Sequence, residues 1–244
     1  MKLIIEKDYD AMSLRTAKYV TELVKIKRDA LICIAAGDTP KLTCDLIAQI
    51  AKKENIDFSH AYFVSLDEWL GIPPENEGSC QYFLRNYLFN PLHINNKNIH
   101  VFNAMAHDMQ KECIDMDEFI RHHGGIDLII VGVGRNGHIG FNEPGVEFEK
   151  YSHVVDLDET TQSVGQKYFR EQTTLTHGIT IGLQHLIESK RAVLIANGFK
   201  KAAVMKEAIE GEININMPAS IMRKHANGEI ILDKEAASLL SQQA

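Results

Sequence analysis

The sequence predicts an α/β fold: a single Rossmann-like domain with a mostly parallel sheet and helices on both faces. Two observations support this prediction. Near-continuous apolar runs alternate with helical patterns along the whole chain, and strands that are apolar on both faces are typical of parallel sheets covered by helices. In addition, the sequence has no low-complexity linker, internal repeat or break in composition, so we expect residues 1–244 to form one domain.

The predicted elements follow in order along the chain. Strands are expected at 2–5, 30–35, 61–66, 99–102, 126–131, 191–196 and 229–232. Helices are expected at 9–27, 41–55, 80–88, 109–123, 182–189, 200–210 and 234–240. In such sheets ligands bind outside the carboxyl ends of strands, where the strand order reverses. The loops that follow the second, third and fifth strands are therefore the candidate sites of chemistry.

Composition excludes several classes of function. The net charge of −7 gives no electrostatic footprint for nucleic acid, and no apolar run is long enough to span a membrane. The amino terminus lacks the apolar core of a signal peptide. The four cysteines have neither C-x-x-C pairing nor the spacing of metal ligands. We therefore expect a soluble, cytoplasmic protein with reduced thiols, without a metal and without nucleic-acid or membrane partners.

The loop after the fifth predicted strand is the most informative stretch of the sequence. It carries five glycines between positions 132 and 145, more than an ordinary turn requires. A base and an acid, His138 and Glu143, lie within it, together with the amides Asn136 and Asn142. Groups that transfer protons, mounted on a glycine-rich loop at the end of a strand, indicate an active site.

The loop after the second strand, Gly37-Asp38-Thr39-Pro40, has the features of an anion site. A turn of small residues that leads into a helix presents free backbone N–H groups, and the helix dipole favours a negative charge there. The same residues also fit an ordinary helix N-cap, and the carboxylate of Asp38 opposes anion binding unless it points away or caps the helix.

The loop after the third strand begins with two adjacent carboxylates, Asp67 and Glu68, beside Trp69, the one tryptophan of the sequence. Successive residues of a strand point to opposite faces, so we expect only one carboxylate to face a ligand. Burial in an apolar crevice raises the pKa of such a group toward that of a useful general base. A solvated acidic turn is the alternative interpretation.

Together these segments resemble the glucosamine-6-phosphate deaminase/isomerase family. The resemblance rests on the segments AGDTP at 36–40, LDEWLG at 66–71, GVGRNGHIGFNEPG at 132–145, TIG at 180–182 and PAS at 218–220, in this order over nearly the whole chain. The GHIGFNEP block is the most specific of them. The related 6-phosphogluconolactonases share the fold but differ after the histidine and carry Asp-Glu-Arg in the third-strand loop.

The resemblance implies an enzyme without a cofactor that converts an aldose amino-sugar phosphate and water to a ketose phosphate and ammonia. Asp67 matches the base that moves a proton between C2 and C1 of the opened sugar. His138 matches the residue that opens the pyranose ring, and Glu143 matches the carboxylate that orients this histidine. Asn136 lies in the same catalytic cluster, where some family members have Asp.

The resemblance also implies a phosphate site and a lid. Gly37, Asp38 and Thr39 match the phosphate loop of the family. Lys201 matches one of two basic side chains, and Lys167 matches a family arginine if one residue is inserted before it. The segment at about 156–178 matches a mobile lid that closes over the substrate.

Some residues depart from the family pattern, and they leave alternatives open. Asn136 leaves one negative charge fewer beside His138, and Asp38 replaces the second glycine of the usual Gly-Gly-Thr-Pro. Asp67-Glu-Trp followed by Gly-Ser-Cys at 78–80 resembles members assigned to galactosamine 6-phosphate. A 6-phosphogluconolactonase-like hydrolase and a non-enzymatic sugar-phosphate sensor are further alternatives. The short carboxyl terminus favours a monomer or small homo-oligomer over an allosteric hexamer.

Overall fold

A computed structural model describes residues 1–241, and its centre is a seven-stranded parallel sheet in the order β1-β10-β9-β6-β2-β3-β5. The strands are β1 Lys2–Glu6, β2 Leu31–Ile34, β3 Tyr62–Val64, β4 Asp67–Trp69, β5 Ile99–His100, β6 Leu128–Val131, β7 His153–Asp156, β8 His177–Thr180, β9 Ala192–Ala196 and β10 Gly228–Asp233. The helices are α1 Tyr9–Ile26, α2 Asp38–Glu54, α3 Cys80–Leu84, α4 Met109–His122, α5 Glu159–Gly165, α6 Leu183–Glu188 and α7 Ala202–Glu210. All seven strands predicted from the sequence are present in this sheet.

The alternation of side chains along β2 shows how the sheet divides the core. Ile32 and Ile34 pack with α1 and α2 on one face, whereas Leu31 and Cys33 pack with α4, α6 and α7 on the other. All four of these side chains are fully buried. This arrangement confirms the predicted mostly parallel sheet with helices on both faces, because only a strand covered on both sides can be apolar at every position.

The strand order reverses between the neighbouring strands β2 and β6. From β2 the chain adds β3 and β5 on one side, and from β6 it adds β9 and β10 on the other. The carboxyl ends of these parallel strands all lie at one edge of the sheet, so the three loops selected from the sequence meet there.

A second, three-stranded antiparallel sheet in the order β4-β8-β7 covers part of this edge. Its register pairs Asp67 with Thr180. A small core of Trp69, Phe141, Leu157 and Leu175 lies beneath it. The sequence analysis missed this sheet, because its strands are short and include charged and glycine residues.

Three predicted helices need correction. Residues 234–240 form a series of turns instead of a helix, since Asp233 accepts a hydrogen bond from the backbone of Ala236. Helix α2 begins at Asp38 rather than at residue 41, because Pro40 fits the first turn of a helix. The predicted helix at 80–88 is α3 followed by one π-helical turn at Arg85–Phe89.

Across residues 1–241, every helix is too short or too polar to cross a lipid bilayer.

Candidate active site

The glycine-rich loop after β6 folds so that His138 lies against its own backbone. Gly137 and Gly140 have positive φ angles of 90° and 56°, which bend the chain on each side of the histidine. A Cβ atom at Gly134 would lie 2.3 Å from atoms of the His138 ring. Gly137 and Gly140 are therefore required by the turn around the histidine, and Gly134 by the position of the imidazole.

The imidazole of His138 is held at one nitrogen by two side chains. Its Nδ1 lies 3.3 Å from Oε2 of Glu143 and 3.0 Å from the hydroxyl of Thr161 in α5. The amide of Asn136 donates to the same Glu143 oxygen at 2.8 Å, and its carbonyl oxygen accepts from the backbone of His138. The structure brings Asn136, His138 and Glu143, which were selected from the sequence, next to one another. Sequence reasoning missed Thr161, because nothing in the sequence separates it from its neighbour Thr160.

Glu143 is buried and ionised. Burial alone would raise the pKa of its carboxyl, but His138, through a hydrogen bond and its charge, and then Thr161 and Asn136 lower that pKa below the ordinary value. Its second oxygen, Oε1, is buried without a hydrogen-bond partner among the described residues. A carboxylate in this position accepts hydrogen bonds only, so it fixes the direction of every donor around it.

Asp67 and Glu68 are adjacent in β4, and the thiol of Cys80 lies within hydrogen-bond reach of both carboxylates. Glu68 is fully buried and accepts hydrogen bonds from the hydroxyl of Ser79 and from the backbone of Trp69, Cys80 and Gln81, which places it at the start of α3. Asp67 is half-buried. Burial, and then the charge of Glu68, raise the pKa of Asp67 to about 7, while a hydrogen bond from the Cys80 thiol opposes this shift.

Thr180 connects the loop of Asp67 to the loop of His138. It pairs with Asp67 across the antiparallel sheet, and its hydroxyl donates to the carbonyl of Leu66 and accepts from the backbone of Phe141. A Cβ at Gly140 would approach both the Thr180 hydroxyl and the Leu66 side chain. The carboxylate that could act as a base and the imidazole are thus fixed to one framework.

The turn after β2 lies at the same edge of the sheet. Gly37 has a φ angle of 113° and forms the N-cap of α2, without a side-chain cap. The hydroxyl of Thr39 donates to the side-chain oxygen of Asn197 at 2.9 Å, which connects this turn to the end of β9. The side chain of Asp38 is exposed and forms an ion pair with Lys167 at 2.5 Å, so it does not cap the helix.

Positive charge converges on this turn. Burial, followed by the nearby charges of Lys167 and Arg135, lowers the pKa of Lys201 to about 8. The Lys201 amine donates to the backbone carbonyl of Val133 at 2.5 Å, at the start of the histidine loop. Burial favours the neutral amine of Lys167, but its hydrogen bonds and charge interactions with Asp38 and Tyr168 together raise the pKa of Lys167. Arg135, which the sequence analysis did not select, is the third cation.

No cluster of three or more His, Cys, Asp and Glu side chains within residues 1–241 could hold a metal ion. The arrangement instead offers proton-transfer groups at one end and an anion site at the other.

Comparison with known proteins places this arrangement in a family. The family model of the glucosamine-6-phosphate isomerases/6-phosphogluconolactonase matches residues 6–232. The chain belongs to this family. The match spans the main sheet from the end of β1 into β10, and therefore includes all three loops of the site.

Individual members of the glucosamine-6-phosphate isomerase/6-phosphogluconolactonase family are similar over their full length. A glucosamine-6-phosphate deaminase of Clostridium botulinum strain Hall is 40% identical over 242 residues, which cover 99% of each chain. A solved structure described as a monomeric glucosamine-6-phosphate deaminase is 32% identical, with a TM-score of 0.95 over 98% of this chain and 100% of that one. A 6-phosphogluconolactonase from Trypanosoma brucei, 17% identical with a TM-score of 0.76 over 98% of each chain, shares the fold.

Proposed function

We propose that this chain converts glucosamine 6-phosphate and water to fructose 6-phosphate and ammonia by aldose–ketose isomerisation with deamination. The observation that carries the proposal is the juxtaposition of Asp67 with the His138–Glu143 pair through Thr180, at the sheet edge that also holds the cationic turn. Full-length similarity to glucosamine-6-phosphate deaminases supports it.

His138 catalyses the opening of the sugar ring. Its Nδ1 is held by Glu143 and Thr161, so Nε2 is the nitrogen that accepts the proton of the anomeric hydroxyl and returns it to the ring oxygen. The carboxylate of Glu143 stabilises the imidazolium that forms between these two transfers, as in other acid–base clusters built on a histidine. Imidazole suits this step because it titrates near neutral pH.

Asp67 catalyses the isomerisation that leads to deamination. Its carboxylate removes the proton from C2 of the open aldehyde and delivers it to C1, while a proton of the amino group passes to O1, so that a hydroxyl forms at C1 and an imine remains at C2. Water then adds to this carbon and ammonia departs, giving the ketose phosphate. A base of pKa about 7 is ionised through much of the physiological range and still returns its proton readily.

The substrate phosphate lies at the turn formed by Gly37, Asp38 and Thr39. The backbone N–H groups at the start of α2 donate to it, and so does the Thr39 hydroxyl once it turns away from Asn197, while Lys201 and Lys167 supply positive charge. Asp38 forms an ion pair with Lys167, and the phosphate must displace this carboxylate in order to bind the lysine.

Residues 156–178 act as a lid over this site. Helix α5 brings Thr161 to His138, and Lys167 just beyond it reaches Asp38. Gly165 packs on Trp69, where a Cβ would lie 2.6 Å from the indole ring. The lid therefore rests on both ends of the site at once, and opening it releases contacts to both.

Ammonia release from glucosamine 6-phosphate and from galactosamine 6-phosphate, measured separately, tests the proposal. We expect release from the first, and abolition of release by Asp67→Asn with retention of the fold. Asp156→Asn, a change of the same type at an exposed residue, is the control and should leave turnover unchanged. Release from neither epimer by folded protein would refute the proposal.

The same assay separates the alternatives. Preference for galactosamine 6-phosphate would agree with the Asp67-Glu68-Trp69 and Ser79-Cys80 pattern and would change the substrate but not the chemistry. Hydrolysis of 6-phosphogluconolactone that survives Asp67→Asn would identify a lactonase, since that reaction needs no proton transfer at Asp67.

We propose, finally, that the enzyme works as a cytoplasmic monomer. Its similarity to a structure described as monomeric supports the assembly state. Light scattering of the purified protein should give the mass of one chain, and fractionation should place the activity with cytoplasmic enzymes.

A further inference from the structure

Thr161 contacts the ring-opening histidine from the segment proposed as the lid. It belongs to α5 in the lid, yet its side chain is buried, and its hydroxyl lies 3.0 Å from Nδ1 of His138. Thr160, its neighbour, is exposed. Thr161 therefore connects the proposed lid to the ring-opening histidine.

The chemistry of the three groups fixes how their protons are arranged. Glu143 is ionised and can only accept, so the hydroxyl proton of Thr161 turns toward this carboxylate. The Oε1 atom of Glu143 is buried and has no hydrogen-bond partner within residues 1–241, and Thr161 is one of the groups whose hydrogen bonds lower the pKa of this carboxyl. The lone pairs of the hydroxyl then face Nδ1 of His138, which must carry a proton to bond with them.

We propose that Thr161 is a positioning residue that relays between His138 and Glu143 and so keeps the proton of the neutral imidazole on Nδ1. Nε2 is left with the lone pair that ring opening needs. The hydroxyl keeps its own proton throughout, and no bond to it breaks. This inference rests on the proposed function, because it assigns Thr161 a part in the ring-opening step.

The relay connects lid closure to reactivity. With Glu143 alone at 3.3 Å, Nδ1 lacks a close hydrogen bond, and the hydroxyl at 3.0 Å supplies it. Because Thr161 is carried by α5, this contact exists only while the lid is closed. Ring opening is thereby confined to the closed site, where water is excluded.

Three variants test the relay. Thr161→Val keeps the shape of the side chain and removes the hydroxyl, Thr161→Ser keeps the hydroxyl, and Ser163→Ala removes a hydroxyl from an exposed position of the same helix. We expect Thr161→Val to lower kcat for glucosamine 6-phosphate about tenfold with KM nearly unchanged, since a hydrogen bond to a charged group has about this worth. Thr161→Ser should restore most of kcat, and Ser163→Ala should match the unchanged protein.

A binding measurement separates a relay from a structural role. The open-chain compound 2-amino-2-deoxyglucitol 6-phosphate carries the phosphate but has no ring to open. Its affinity for Thr161→Val should equal that for the unchanged protein, because neither the phosphate turn nor Asp67 involves this hydroxyl. Weakened binding in step with the loss of kcat would show that the lid is damaged, and would overturn the relay.

The outcomes distinguish this inference from the function on which it rests. If the unchanged protein releases no ammonia from either epimer, the proposed function fails. If it does, and Thr161→Val has unchanged kcat or Thr161→Ser does not recover it, the relay alone is wrong.

Discussion

The ring of His138 packs directly on the Cα atom of Gly134. A Cβ at this position would lie 2.3 Å from Cε1 and Nε2 of the imidazole and 2.5 Å from Nδ1. Gly134 does not have the positive φ angle seen at Gly137 and Gly140, so its backbone would accept another residue. The glycine is required by the histidine and not by the turn.

This contact predicts a specific effect of one methyl group. Gly134→Ala should displace the ring of His138 and reduce kcat about 100-fold, as misplacement of a reacting group by about 1 Å can do. Gly132→Ala is the matched control, because a Cβ there meets nothing within 4 Å. Ammonia release should separate the two variants, while thermal unfolding shows both to be folded. Equal activity of the two would contradict the packing argument.

Glu143→Gln tests the orienting carboxylate. The substitution keeps the size of the side chain but removes the charge that stabilises the imidazolium of His138, and we expect kcat to fall about 100-fold or more. Glu147→Gln, an exposed change in the same loop, should have no effect. Turnover unchanged in Glu143→Gln would show that His138 works without this partner.

The raised pKa of Asp67 predicts the pH dependence of the reaction. Since the base must be ionised, kcat/KM should rise with pH and level off above about 7. Glu68→Gln removes the charge that is the second cause of the shift, so the rise should move to lower pH. Glu77→Gln, at an exposed acid paired with Arg170, should leave it in place. A rise near pH 4 in the unchanged protein would mean that the pKa of Asp67 is not raised.

Asp38 predicts an unusual effect on phosphate binding. Asp38→Asn releases Lys167 from its ion pair and removes a negative charge from the turn, so inorganic phosphate should bind about fivefold more tightly, the usual scale of an exposed pair. Titration calorimetry at constant ionic strength measures this change, with Glu54→Gln at the far end of α2 as the control. Weaker binding would show that Asp38 supports the phosphate instead of opposing it.

The sequence was sufficient to predict the strands of the main sheet but not those of the small antiparallel sheet. The strands β2, β6, β9 and β10 are buried at every position, so their apolar runs stand out from the polar loops. β4 is Asp-Glu-Trp and β7 alternates between half-buried and exposed residues, so neither has such a run. Both strands pair with β8, which is distant from β4 in the sequence.

Prediction of the site residues from the sequence has the same limit. Asp67 and His138 follow strands and could be selected from their positions. Thr161 and Arg135 could not, because a threonine in a polar segment and an arginine in a loop have no distinguishing pattern. The predicted helix at 234–240 was wrong for a related reason. The residues favour a helix by composition, but the side chain of Asp233 accepts a hydrogen bond from the backbone of Ala236 and stabilises a turn instead.

The position of Asp67 also affects how the protein responds to alkali. A carboxyl whose pKa is raised on folding stabilises the native state fully at pH values below its unfolded pKa, and this contribution is lost as pH rises through about 7. The ionised form that removes the proton from C2 is thus the form that the fold tolerates least. Reactivity requires the ionised carboxylate of Asp67, whereas resistance to unfolding favours the neutral form. The inactive Asp67→Asn protein should therefore be more stable against unfolding than the active protein at alkaline pH.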